Sequence, residues 1–213
     1  GLKSMEYFEA LDARDLTDAT LAQQVKALTQ IGRTRLSQKR YPEAARAFSA
    51  AYQRAAALAA RHPGAGEMLF ERGQAEYYIG LVHWRLGNLA PASEWLERYR
   101  ATAMALIGLK QDNLTWQGEV AYGHHNLAVL EMERGNHAVA RAGFRAELRI
   151  LTVLNAAQPR DLQLQFRLAD AISWLGSLAE RAGEFAEAGA HFADQTRRLE
   201  ALVQQDPRTV RWK

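Results

Sequence analysis

Six histidines, at positions 62, 83, 124, 125, 137 and 191, are the residues of this chain best able to hold a metal or move a proton. His124 and His125 are adjacent, so on a helix their side chains diverge by about 100° and do not close on one ion. His83 lies one segment earlier. A zinc site would still need a third ligand, for which Glu76 and Glu131 are the nearby carboxylates. The simpler reading puts one imidazole of the adjacent pair in a packing slot and the other on an open face, with no metal bound. Cysteine is absent, which removes thiolate nucleophiles, disulfides and thiolate metal sites. The chain has no Gly-x-Ser-x-Gly, no glycine-rich phosphate loop and no His-Glu-x-x-His. Its carboxylates stand beside arginines, as in Glu180-Arg181 and Glu131…Glu133-Arg134, the pattern of solvated helix faces rather than of a buried acid. Neither catalysis nor a cofactor is expected. The side chains left with something to recognise are aromatic, among them Tyr77, Trp84 and Tyr122.

The elements that position them are set by composition and period. Of 213 residues, 48% are hydrophobic, 24% are charged and 5 are proline, which describes an ordered globular chain. Against 24 Asp and Glu stand 27 Lys and Arg, a net charge of +3. That field is weak and does not pool into a basic stripe, so nucleic acid is not an expected partner. No apolar run is long enough to span a bilayer and no signal peptide opens the chain, so a cytoplasmic protein without direct membrane contact is expected. The alanine content and the excess of arginine over lysine suggest a high-GC bacterium.

One frame then accounts for most of the chain. Gly87, Gly135 and Gly183 recur at intervals of 48 residues, with Lys39 one step earlier. The same step links Gly32, Gly80, Ala128 and Gly176, then Ala44, Ala92, Ala140 and Ala188, then Phe48, Leu96, Phe144 and Phe192. Pro63, Gln111, Pro159 and Pro207 mark the breaks. Each period reads as two helices joined at the glycine turn, the first over about 20–38, 68–86, 116–134 and 164–182, the second over about 42–61, 90–108, 138–156 and 186–204. Pro42 and Pro91 fall in first turns, where a missing donor costs nothing. Glycine supplies the positive φ that ends the first helix, a freedom Lys39 lacks, so its turn is expected to be strained or differently closed. Asp161 is a candidate cap for the fourth unit, Asn113 or Thr115 for the third. The units divide as 16–63, 64–111, 112–159 and 160–207. A capping helix is expected within 1–15, carrying Met5, Phe8 and Leu11, and 208–213 opens a further unit, since Trp212 stands two periods after Trp116. A segment of a longer polypeptide is the expectation.

These columns resemble the tetratricopeptide repeat, whose pattern runs W-x2-L-G-x2-Y, turn glycine, aromatic, A-x3-F and closing proline. The fourth unit carries Leu175-Gly176, Gly183, Phe185, Ala188 and Phe192, with Pro207 beyond. Repeats of that family take roughly 34 residues. The longer unit here is similar to the extended repeats of bacterial multidomain signalling proteins, and Trp116-Gln117…Val120…Asn126-Leu127-Ala128 looks like a copy of theirs. The slot four before the small residue departs from the pattern, holding Leu28, Glu76, His124 and Ile172. So does the one three after it, with Arg35, His83, Glu131 and Ala179. The resemblance covers about 20–210 and implies an all-α, right-handed superhelix of antiparallel helix pairs whose first helices line a concave wall.

On that fold the wall residues are Lys26, Thr29, Arg33 and Leu36, then Gln74, Tyr77, Leu81 and Trp84. The third unit adds Tyr122, His125, Val129 and Met132, and the fourth Asp170, Ser173, Ser177 and Glu180. The candidate contact set is Lys26, Arg33, Gln74, Tyr77, Trp84, Tyr122, His125, Met132, Asp170 and Ser173, aromatic at its centre and charged at its ends. Only one of Tyr77 and Tyr78 should face the groove, and Trp174 should face a neighbouring helix. Lys26, Arg33 and Asn126 do not reproduce the carboxylate clamp of the related co-chaperone repeats. The function expected is a non-catalytic scaffold that binds a peptide, a helix or another domain of the same polypeptide. Self-association through Ala56, Ala57, Leu58 and Ala60 is the alternative, and enclosure of a small ligand in the aromatic groove a third reading.

Overall fold

The computed structural model describes residues 16–209, which are helical apart from short turns. The expected capping helix and Trp212 lie outside the described residues. Eight helices follow in order: α1 (Asp18–Ser37), α2 (Tyr41–Arg61), α3 (Gly66–Arg85), α4 (Leu89–Leu109), α5 (Leu114–Glu133), α6 (His137–Ala157), α7 (Leu162–Arg181) and α8 (Phe185–Gln205). They fall into two compact units, one ending at Gln111 and one beginning at Asp112. In the first, α1 packs on α2, α2 on α3 and α3 on α4, and α1 touches α3. In the second, α5 packs on α6, α6 on α7 and α7 on α8. Each unit is a stack of two helical hairpins, and the fold class is the all-α helix-pair repeat.

The four hairpin turns close alike. The N–H groups of Arg40, Asn88, Asn136 and Glu184 donate to the carbonyls of Arg35, His83, Glu131 and Ala179 at 2.8–2.9 Å. One residue earlier, Lys39, Gly87, Gly135 and Gly183 donate to Leu36, Trp84, Met132 and Glu180. This double closure needs a left-handed residue at its hinge, and the three glycines have φ of 76°, 80° and 76°. Lys39 takes φ 58°, so the first turn is strained rather than differently closed. At the other end of the first helices, Thr17, Asn113 and Asp161 accept from the backbone N–H three residues on, whereas Ala65 leaves α3 without a side-chain cap.

The small columns let large side chains reach across each hairpin. A Cβ on Gly32 would lie 2.5 Å from the Phe48 ring, on Gly80 3.0 Å from Leu96, and on Gly176 2.8 Å from Phe192. The bulky residue of the second helix is therefore seated first on its own partner helix. Phe48 and Phe144 then extend to the next hairpin as well, stacking on Tyr78 at 4.6 Å and on Trp174 at 5.5 Å. Where the third hairpin has Ala128 in the small column, the relief comes from the facing helix. A Cβ on Gly143 would lie 2.8 Å from that of Ala128.

Candidate functional site

The residues expected on the wall stand on the first helices of both units, and packing treats them unequally. Lys26 and Arg33 on α1 are exposed. Gln74, Tyr77 and Trp84 are half-buried along one face of α3. The adjacent tyrosines part ways: Tyr78 stacks on Phe48 of α2, whereas Tyr77 leans on Tyr99 of α4 at 5.5 Å. In the second unit Tyr122 and His125 of α5 stack with ring centroids 6.2 Å apart. Met132 packs against the cluster of Ala128, Phe144, Leu175 and Leu178. On α7, Asp170 and Ser173 are half-buried, and the Ser173 hydroxyl donates to the Asp170 carbonyl at 2.9 Å. Trp174 faces α6, as its place beside Leu175 indicated.

A second row of wall residues was not singled out in the sequence. Glu71 of α3 is partly desolvated, which raises its carboxyl above the usual range, while the nearby Lys26 ammonium pulls it back down. In the second unit the Arg167 guanidinium sits 5.7 Å from the Tyr122 ring centroid, a cation–π arrangement. Arg167 and Glu71 occupy the same repeat position, two periods apart, as do Tyr122 and Lys26. Both units therefore couple the same two positions of successive first helices, once by charge and once by charge on an aromatic face. The column that gives the signal is Glu71, Glu119 and Arg167, three residues before the first wall position.

His125 is held by packing on several sides. Its Nδ1 lies 2.9 Å from a carboxylate oxygen of Glu147, which is 2% exposed, and its ring meets Phe144 and Trp174 edge-on. The equivalent positions one period earlier are Tyr77 and Tyr99, so one pair of slots between first and second helix is filled by two phenol rings in tilted contact or by an imidazole and a carboxylate. Carboxylates were expected on solvated faces, and Glu147 and Glu76 correct this. Glu76 is 3% exposed and accepts from the Thr102 hydroxyl at 2.6 Å, with Arg72 at 3.2 Å. Burial raises its carboxyl above the ordinary range against the opposing pull of Thr102 and Arg72. No second carboxylate faces it among the hydrogen-bond and ion-pair partners described. A third buried polar pair, Arg54 with Gln24, joins α1 to α2. These groups tie first helix to second helix in the first three hairpins.

Among the described residues no three histidines, aspartates or glutamates come together as a metal would require. Nor is any helix among them long and apolar enough to cross a membrane. The second unit has an open cleft of about 270 Å³ bordered by Leu114, Gly118, Glu119, Leu154, Leu164 and Arg167. It lacks the aromatic lining expected of a ligand-enclosing groove. The outer patch expected for self-association is also altered, because Leu58 is 2% exposed and belongs to the core with Leu21, Val25 and Ala55.

No family model matches the chain, and none of the curated proteins does. Solved structures do. The apo form of RapI superposes with a TM-score of 0.64 at 9% identity over 84% of this chain and 57% of that one. The de novo designed helical repeat protein DHR64 gives 0.50 at 15% identity, over 90% of this chain and all of the design. The fold they share with this chain is an all-α repeat of paired helices. At such identities the likeness is one of backbone architecture alone, and the chain spans little more than half the length of RapI.

Proposed function

We propose that this helical repeat is a non-catalytic scaffold whose first-helix faces bind a peptide or a helix of a protein partner. The reading extends to the extended bacterial type of tetratricopeptide repeat and to a segment of a larger signalling or effector protein. The observation that carries it is the chemical contrast between wall and core. In the first unit Tyr77 and Trp84 are half-buried while Lys26 and Arg33 are exposed, and in the second unit Tyr122 is half-buried. Most buried positions of α2 carry small or aliphatic side chains, among them Ala44, Ala47, Ala51 and Ala55. Rigid aromatics with part of each ring open are good anchors because little side-chain entropy is lost on binding.

The test is a displayed peptide library selected on the chain, followed by calorimetry of the selected peptides. Tyr77→Ala, Trp84→Ala and Tyr122→Ala are each expected to weaken binding about tenfold, the loss of a moderate hot spot. Val153→Ser, at an exposed position of α6, is expected to leave it unchanged. Binding that survives all three wall substitutions and is lost on Val153→Ser would place the functional surface elsewhere.

A further inference from the structure

Packing demands four of the helix glycines. A Cβ on Gly32, Gly80, Gly143 or Gly176 would lie 3.0 Å or less from a neighbouring side chain. Gly118 is different. It is the fifth residue of α5 and is not among the glycines with positive φ. The nearest atom its Cβ would meet is Nη1 of Arg167 at 3.9 Å, an ordinary contact. Glycine weakens a helix interior relative to alanine, and neither φ nor close packing accounts for this one. The other first helices carry Ala22, Phe70 and Phe166 in the same column, so the position itself accepts a ring.

Gly118 borders the cleft of about 270 Å³ in the second unit. The apolar lining is Leu114, Leu154 and Leu164, the last two only 2% and 5% exposed. Charged groups on the lining are Glu119, Asp161 and Arg167. Asp161 is engaged in capping α7, where its carboxylate accepts from the Leu164 N–H at 3.0 Å. The Arg167 guanidinium reaches the Gly118 carbonyl only at 3.4 Å and forms no ion pair among the described residues. Two carboxylates beside one guanidinium leave no net attraction for an anion, and the guanidinium opposes a cation. A neutral ring suits all of these surfaces. It would bury its faces on the leucines and meet Arg167 as a cation–π partner, the contact that Arg167 already makes with Tyr122. A cavity of about 150 Å³ holds benzene, so the cleft has room for the side chain of tyrosine or tryptophan.

We propose that the cleft at Gly118 is a subsite for one uncharged aromatic side chain of the peptide partner, seated on Leu154 and Leu164 with Arg167 at its edge. The assignment rests on the peptide-binding reading above and adds to it a pocket distinct from Tyr77, Trp84 and Tyr122.

The experiment titrates N-acetyltryptophanamide into the isotope-labelled chain and follows the Gly118 amide and the Leu154 and Leu164 methyls by NMR. The leucine, arginine and glutamate analogues are run beside it. Saturable ring-current shifts are expected with the tryptophan compound, and weaker or no binding with the others. Arg167→Gln should weaken binding about two- to fivefold, and Gly118→Phe should abolish it by filling the cleft. If Gly118→Phe melts early, Arg167→Gln decides alone. Gly118→Ala should raise the melting temperature by about 1–4 °C, and a fall would show that the fold itself requires the glycine. Tighter binding of the arginine or glutamate analogue, or tryptophan shifts that survive Arg167→Gln unweakened, overturns the proposal. Peptides selected on the chain separate the two readings. Peptides that bind Gly118→Phe as tightly as the native chain keep the scaffold and sink the subsite. A cleft that binds the tryptophan compound when no peptide can be selected keeps the subsite and sinks the scaffold.

Discussion

Lys39→Gly should stabilise this protein. Lys39 holds φ 58° in a turn whose three counterparts are glycine, and its N–H and that of Arg40 make the same two closing bonds. A left-handed conformation costs an L-residue about 1–2 kcal/mol. Replacement by glycine recovers that strain but returns freedom to the unfolded chain, at roughly 0.5–1 kcal/mol. The side chain is exposed and makes no hydrogen bond or ion pair among the described residues, so nothing else is lost. The net gain is about 0.5–1 kcal/mol, a rise in melting temperature of about 1–4 °C for a chain of this size. Far-ultraviolet circular dichroism during heating, checked by urea midpoints, reads it directly. Lys39→Ala is the control, since alanine keeps the strain and should change little. Gly135→Ala, at φ 80°, should lower stability by about 1 kcal/mol or more. If Lys39→Gly were neutral or destabilising while Gly135→Ala cost the expected amount, the lysine turn would not be storing strain and the argument would be wrong.

Three other perturbations follow from the packing. Ala65→Asn supplies the cap that α3 lacks and should add about 1 kcal/mol in chemical denaturation, with Asn113→Ala removing as much from α5. His125→Ala leaves the buried Glu147 carboxyl group without its imidazole partner and should cost about 1–3 kcal/mol. The double substitution His125→Tyr with Glu147→Tyr installs the Tyr77–Tyr99 pairing of the preceding hairpin and should recover most of that loss in the same assay. Glu76 sets a pH dependence: its folded-state affinity for a proton exceeds that of the unfolded chain. Its contribution to stability is therefore full below the ordinary carboxylate pKa and is lost as pH rises through the raised folded value. Glu76→Gln should flatten the stability–pH curve across that window, and an unchanged curve would assign the burial energy elsewhere.

The hairpins were legible in the sequence because their signals are local. A turn needs positive φ at one residue, a helix start needs an acceptor three residues before an orphan N–H, and both recur in fixed columns with Gly87, Asn113 and Asp161. The small and bulky columns also announced close approach of two helices, although only the packed structure showed that Phe48 and Phe192 are seated on Gly32 and Gly176 of their own hairpins. The polar interior was not legible. Glu76 and Glu147 look like surface carboxylates in the chain, each close to an arginine, and their partners, buried Thr102 and half-buried His125, stand on the opposite helix. The wall was legible as positions but not as chemistry. Lys26 with Glu71 and Tyr122 with Arg167 come from successive first helices with a whole second helix between them in the chain, and no local pattern records which side chain lies across from which. Backbone hydrogen bonding and capping act over a few residues and are written in their order. Desolvation, ion pairing and ring contact act through space, and the helix pairs had to stack before those partners were chosen.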